Sequence, residues 1–160
     1  ADLAEIAPVV LDAPEQTHPA AQDSAILPLV SRRIAEPFEA LRARADAIRA
    51  ATGQRPRVAL VTLGALADHA ARLAFTRNLF EAGGIAVAEE ATLACLVGSD
   101  AAYADEGAAR AASLTSSGKI VWLAGRPGEM EAALREAGVT RFVYAGCDVV
   151  EALTAALEER

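Results

Sequence analysis

The residues best placed to do chemistry lie in "TLGALADHAARLAF", residues 62–75, where a glycine, an Asp-His pair and an amphipathic stretch follow in quick succession. A neutral imidazole at His69 can ligate a metal, and a carboxylate at Asp68 can orient an imidazole ring. Adjacent helical residues diverge by about 100°, so this pair does not readily act on one atom. The expectation is that Asp68 caps a helix and that His69 is an ordinary packed or solvated side chain.

Other stretches offer chemistry and have plainer explanations. "GSDAAYADEG" carries Ser99, Asp100, Asp105 and Glu106, which can be read as an acidic site. As a helix start it places Asp100 at the cap and Asp105 and Glu106 in the first turn, where acids suit the helix dipole. "AGRPGEM" sets Arg126 beside a helix start that can hold a phosphate, although Pro127 at that start accounts for the same letters. Cys147 precedes the last helix, whose N-terminus can activate a thiol, yet no histidine neighbours it and Asp148 reads as the cap. Cys95 and Cys147 are far apart with no C-x-x-C spacing, so both are expected as small hydrophobes in a reducing compartment. The turn "GALAD" has one glycine and matches neither phosphate-cradling glycine motif.

These side chains hang on a regular alternation. "AEPFEALRARADAIRAATG" predicts a helix with Pro37 in its first turn, Phe38, Leu41, Ala45 and Ile48 on one face, and Gly53 as its stop. "RVALVTLG" (57–64) reads as a strand covered on both faces, followed by a helix from Asp68 to Gly83-Gly84. "IAVAEE" and "ATLACLVG" are strand-like; a helix then opens at Asp100, with Tyr103, Gly107, Ala111 and Leu114 as its stripe, and closes at Gly118. "KIVWLAG", "PGEMEAALREAG", "RFVYAG" and "DVVEALTAALEER" complete the pattern as strand, helix, strand and helix, the last facing inward through Val149, Val150, Leu153 and Leu157. Such alternation predicts a doubly wound parallel sheet, flavodoxin-like, over residues 35–160. Residues 1–34, with Pro8, Pro14, Pro19 and Pro28, read as an extended linker.

One join breaks the pattern. Adjacent parallel strands need a crossover of roughly a dozen residues, and Glu89-Glu90-Ala91-Thr92 leaves almost nothing. A hairpin, one long strand or an absent crossover segment near Glu90 would each explain it; the absent segment is the expectation, because every other element has its helix.

Composition narrows the function. The 160 residues suit one compact domain and a tail, 53% hydrophobic but only 4% aromatic, so the core rests on Ala, Val, Leu and Ile. A net charge of −7 repels phosphate backbones and anionic membranes, and no apolar run is long enough to cross a bilayer. No nucleic acid, no membrane and a cytoplasmic location are expected.

"RPRVALVTLG", "FTRNLFEAGGIAV", "AEPFEALR" and "WLAGRPGEMEAALREAGVTRFVYAGCDVVEAL" together resemble the carboxyl-terminal domain of the small (β) subunit of heterodimeric methylmalonyl-CoA mutases, over most of residues 35–157. "ADLAEIAPVVLD" is similar to the segment leaving that subunit's barrel domain. The resemblance implies a degenerate cobalamin-binding fold, a large catalytic subunit as heterodimer partner, and a complex that is an adenosylcobalamin-dependent isomerase of methylmalonyl-CoA and succinyl-CoA. The related catalytic-subunit domain holds the cofactor through Asp-x-His-x-x-Gly, Ser-x-Leu and Gly-Gly motifs, from all of which this chain departs. With His69 on the motif histidine, Ala67 and Arg72 stand at the aspartate and glycine positions; counted from Gly64, the three positions fall on Leu66, Asp68 and Ala71. The resemblance thus implies no catalytic, cofactor or metal residue in this chain, with adenosylcobalamin held by the partner. The competing expectation is a cobalamin module in which His69 ligates cobalt. A flavin or receiver module fits worse, because Gly64-Ala65-Leu66-Ala67 offers neither hydroxyls nor clustered acids.

Overall fold

A computed structural model of the protein describes residues 35–159; the expected linker over 1–34 lies outside the described residues. Helix α1 (Glu36–Thr52) starts with proline in its first turn and buries Leu41 and Ala45, with Phe38 and Ile48 packed beside them. It stops at Gly53, whose φ of 78° lets its N–H return to the Arg49 carbonyl. The chain then lays down β1 (Arg57–Thr62), α2 (Leu66–Ala82), β2 (Ala86–Ala88) and β3 (Leu93–Val97). The short α3 (Asp100–Ala102) runs through a π-helical turn, Tyr103–Gly107, into α4 (Ala108–Ser116). After β4 (Ile120–Ala124), a 3-10 turn at Gly128–Met130 leads into α5 (Glu131–Glu136). The described residues end with β5 (Val139–Val143) and α6 (Val149–Glu158).

All five strands are parallel, in the order β2-β1-β3-β4-β5, which is the flavodoxin-like arrangement. Helices lie on both faces because a parallel crossover has to return over the sheet. On one face α1, α2 and α6 bury Val58, Leu93, Cys95, Val97 and Trp122 with Phe80, Leu153 and Leu157. On the other, the 103–116 helix and α5 bury Ala94, Leu96, Val121 and Leu123 with Tyr103, Ala111, Leu114 and Leu134. β3 is buried at all five positions, as a central strand covered twice should be. Both cysteines are free: Cys95 is fully buried, with burial pushing its thiol well above the usual range, and Cys147 is half-buried against the first core.

The unusual join resolves through topology. β2 and β3 are not neighbours, since β1 lies between them and both run parallel to it, so neither a hairpin nor one long strand describes them. A four-residue link suffices because β2 is only three residues long and pairs no further than Ala59 of β1, so its end lies one residue beyond the level at which β3 begins. No crossover helix joins these two strands, and on that face Ala86, Ala88 and Val61 stay only partly buried.

Three boundaries depart from expectation. Helix α2 begins at Leu66 with Ala65 at its N-cap and no side-chain cap, so Asp68 is an exposed acid of the first turn rather than the cap. Ser99, not Asp100, caps α3: its extended backbone lets its Oγ accept the Ala102 N–H at 3.2 Å. Asp105 and Glu106 therefore sit in the π-helical turn, beyond the first turn of the helix. β5 starts at Val139, two residues before the predicted strand, and its pairing with β4 has a bulge at Val121/Trp122. Asp148 caps α6 as expected, accepting the Glu151 N–H at 2.9 Å.

Candidate functional site

Ligands of open parallel sheets sit beyond the carboxyl ends of the strands, at the point where strand order reverses. Here that point lies between β1 and β3, beneath the turns at Gly64 and Gly98. The chain's own atoms crowd it. A Cβ added at Gly98 would stand 3.0 Å from Leu63 Cβ and 3.2 Å from the Tyr103 ring, and one added at Gly64 would meet Ala102 Cβ at 3.3 Å.

Tyr103 is central to that closure. The π-helical turn adds a residue to the helix and carries the Tyr103 ring inward, where it is 2% exposed. Its hydroxyl accepts the Gly98 N–H at 2.8 Å and reaches the Ala124 carbonyl at 2.6 Å and the Leu96 carbonyl at 3.2 Å. Burial pushes the phenol up to about 12, despite the opposing pull of the Gly98 N–H and Arg72. Arg72, from the second turn of α2, reaches across the same strand ends. Its Nη1 donates to the Gly98 carbonyl and its Nη2 pairs with Asp100 at 2.8 Å, while the guanidinium lies 5.4 Å from the Tyr103 ring centre. Desolvation works against the charge of Arg72, but bonds to Asp100 and Tyr103 more than offset it and raise its pKa. Sequence reasoning treated Arg72 only as a misfit in a motif and Tyr103 only as core. No local pattern marks either, because their partners lie at the ends of two separate strands, β3 and β4.

His69 is packed: it is 3% exposed on the inward stripe of α2, and neither ring nitrogen has a hydrogen-bond partner. Asp68 and His69 diverge as their adjacency required, one to solvent and one to the interior. Asp100 comes together with Arg72 and Ser99 caps its own helix, whereas Asp105 and Glu106 remain exposed. Arg126 is exposed, its guanidinium 4.8 Å above the Tyr144 ring. No group of three or more His, Cys, Asp or Glu side chains converges to hold a metal among the described residues.

An open cleft of about 440 Å³ remains beside this closure, lined by Arg72 and Phe75 of α2, Asp100, Gly125, Arg126, Val143, Tyr144 and Ala145. It lies over the carboxyl ends of β4 and β5 rather than at the switch point. Gly125, at φ 141°, lets Arg72 lie against the backbone here, since a Cβ would come 3.3 Å from Nη1.

The sheet order defines a flavodoxin-like α/β domain in which Leu63, Ala102 and Tyr103 pack close around Gly64 and Gly98 at the switch point. No protein-family model matches the chain. It is 39% identical, over 94% of its length, to the methylmalonyl-CoA mutase small subunit of Streptomyces virginiae, of which the match covers 26%. It is also 39% identical, over 77% of its length, to the probable methylmalonyl-CoA mutase small subunits of Mycobacterium bovis and Mycobacterium tuberculosis, with 23% of each covered. Over the segment it shares with them, the chain belongs to the methylmalonyl-CoA mutase small-subunit family. It spans about a quarter of the length of these relatives. The first match runs over 170 aligned positions yet takes in 94% of 160 residues, so roughly twenty positions have no counterpart here, about the length of one crossover helix.

Proposed function

We propose that this chain is a non-catalytic domain of a methylmalonyl-CoA mutase small subunit, which pairs with the large catalytic subunit and stabilises it. In this reading adenosylcobalamin and the radical interconversion of methylmalonyl-CoA and succinyl-CoA belong to the partner chain, in the cytoplasm. The fold supplies packed helices on both faces of the sheet as surface for such a partner. The net charge of −7 argues against a nucleic-acid partner, and no helix among the described residues is long and apolar enough to cross a membrane.

The observation that carries the non-catalytic reading is the filling of the strand ends by Tyr103 and Arg72. The residues present do not fit a corrin cofactor. Arg72 lies across Gly98 and toward Asp100, and both nitrogens of His69, the one histidine among the described residues, are buried. The competing reading, a cobalamin module with His69 on cobalt, would require the first turn of α2 to open. Titrating the chain with adenosylcobalamin in the dark, beside His69→Ala, tests both. We expect no saturable change in the corrin spectrum; a saturable change that disappears in His69→Ala would overturn the proposal. Co-expression with a large subunit should raise the thermal midpoint of that subunit, and an unchanged midpoint would remove the stabilising role.

A further inference from the structure

We infer that the cleft over β4 and β5 is a binding site for a small organic anion, in which Arg126 and Arg72 hold the charged group and Phe75 receives an apolar body. Pairing with a large subunit plays no part in this inference. Its volume, about 440 Å³, is that of a small-molecule site, and it sits at the strand ends where this class of fold places ligands. The walls combine aromatic and aliphatic surface with two guanidinium groups, in a chain whose net charge is −7.

The two arginines differ in the way such a site needs. Arg72 is fixed: the Gly98 carbonyl and Asp100 take one donor on each terminal nitrogen, and its guanidinium keeps further N–H groups for other acceptors. Arg126 is held over the Tyr144 ring and has no carboxylate partner among the described residues. A structural clamp explains Arg72 and Asp100, but leaves Arg126 and the apolar walls unused. Arginine forks suit carboxylate and phosphate alike, so the anionic group is one of these.

The test follows amide shifts of the full chain by NMR during titration with benzoate and phenyl phosphate, with acetate and inorganic phosphate as the same charges without an apolar body. An aryl anion should shift Gly125, Arg126, Tyr144 and Ala145 saturably and bind at least about tenfold more tightly than its small counterpart. Arg126→Gln, an exposed change that should leave Trp122 emission unaltered, should weaken that binding about tenfold. Three results would each overturn the inference: no saturable shift with either aryl anion up to about 10 mM, equal affinity for aryl and small anions, or binding indifferent to Arg126→Gln.

Discussion

The Tyr103 hydroxyl accepts the Gly98 N–H at 2.8 Å and reaches the Ala124 carbonyl at 2.6 Å, so one side chain from a π-helical turn joins the ends of β3 and β4. Tyr103→Phe keeps the ring and removes the hydroxyl that accepts the Gly98 N–H. A buried N–H then goes unpaired, and stability should fall by about 1–3 kcal/mol in denaturant unfolding followed through the buried Trp122. A loss below about 0.5 kcal/mol would show that Gly98 finds another acceptor.

The same phenol sets an alkaline limit. Its folded value is raised to about 12 from an unfolded value of 10.0, chiefly by burial. Because the folded state keeps the proton longer, this contribution is complete below pH 10 and is lost as pH rises from 10 through about 12. Cys95, also pushed up by burial, adds a loss that begins near its ordinary value of 9.0. The difference between wild-type and Tyr103→Phe stability should therefore shrink between pH 10 and 12, which isolates the phenol from the thiol. A constant difference across that window would contradict the assignment.

His69 is a burden on the fold if nothing binds it. Its two ring nitrogens are buried and unpaired, and an apolar side chain of similar size removes that desolvation penalty. His69→Leu should raise stability by about 1–2 kcal/mol, read as a higher urea midpoint at unchanged slope. Lower stability would mean that the imidazole makes contacts an apolar chain cannot replace.

The seat of α1 depends on Gly84. At φ 79°, it follows α2 so closely under the helix that a Cβ would stand 2.9 Å from the Cβ of the fully buried Ala45. Gly84→Ala should cost about 2 kcal/mol or more from left-handed backbone and overlap together. Ala45→Gly removes the overlap alone, so a double-mutant cycle on the unfolding free energies should show favourable coupling of about 1 kcal/mol. Purely additive effects would place the whole cost in the backbone.

The short link between β2 and β3 also has a measurable consequence. Inserting at Glu90 a helical crossover of about a dozen residues or more should cover the partly buried Ala86, Ala88 and Val61 and raise the urea midpoint and slope together. A lower midpoint would show that the four-residue link is the stable form of this chain.

Local chemistry was enough to write the order of elements. Apolar runs marked β1, β3 and β4, the spacing of Phe38, Leu41, Ala45 and Ile48 marked α1, and the stripe Tyr103, Gly107, Ala111 and Leu114 marked the helix that buries it. These signals depend on residues a few positions apart, whose faces follow from helix and strand periodicity alone. Strand-helix alternation likewise implied a parallel sheet, and Asp148 lay where a cap should be. Ser99 and Asp100 fit a cap equally as letters and only the backbone angle decides between them, while α2 starts at Ala65 with no side-chain cap, three residues before the Asp68 that the letters favour. The switch point was decided by tertiary structure. Tyr103, Arg72, Gly98, Gly125 and Ala124 come from separate parts of the chain and meet only when the strands are ordered β2-β1-β3-β4-β5. So did the burial of His69: its letter permits a ligand, and the inward side of α2 covers both nitrogens. The sequence by itself determined which segments become strands and helices, because that depends on short-range periodicity; whether their ends leave room for a ligand is a long-range steric question that only the packed sheet answers.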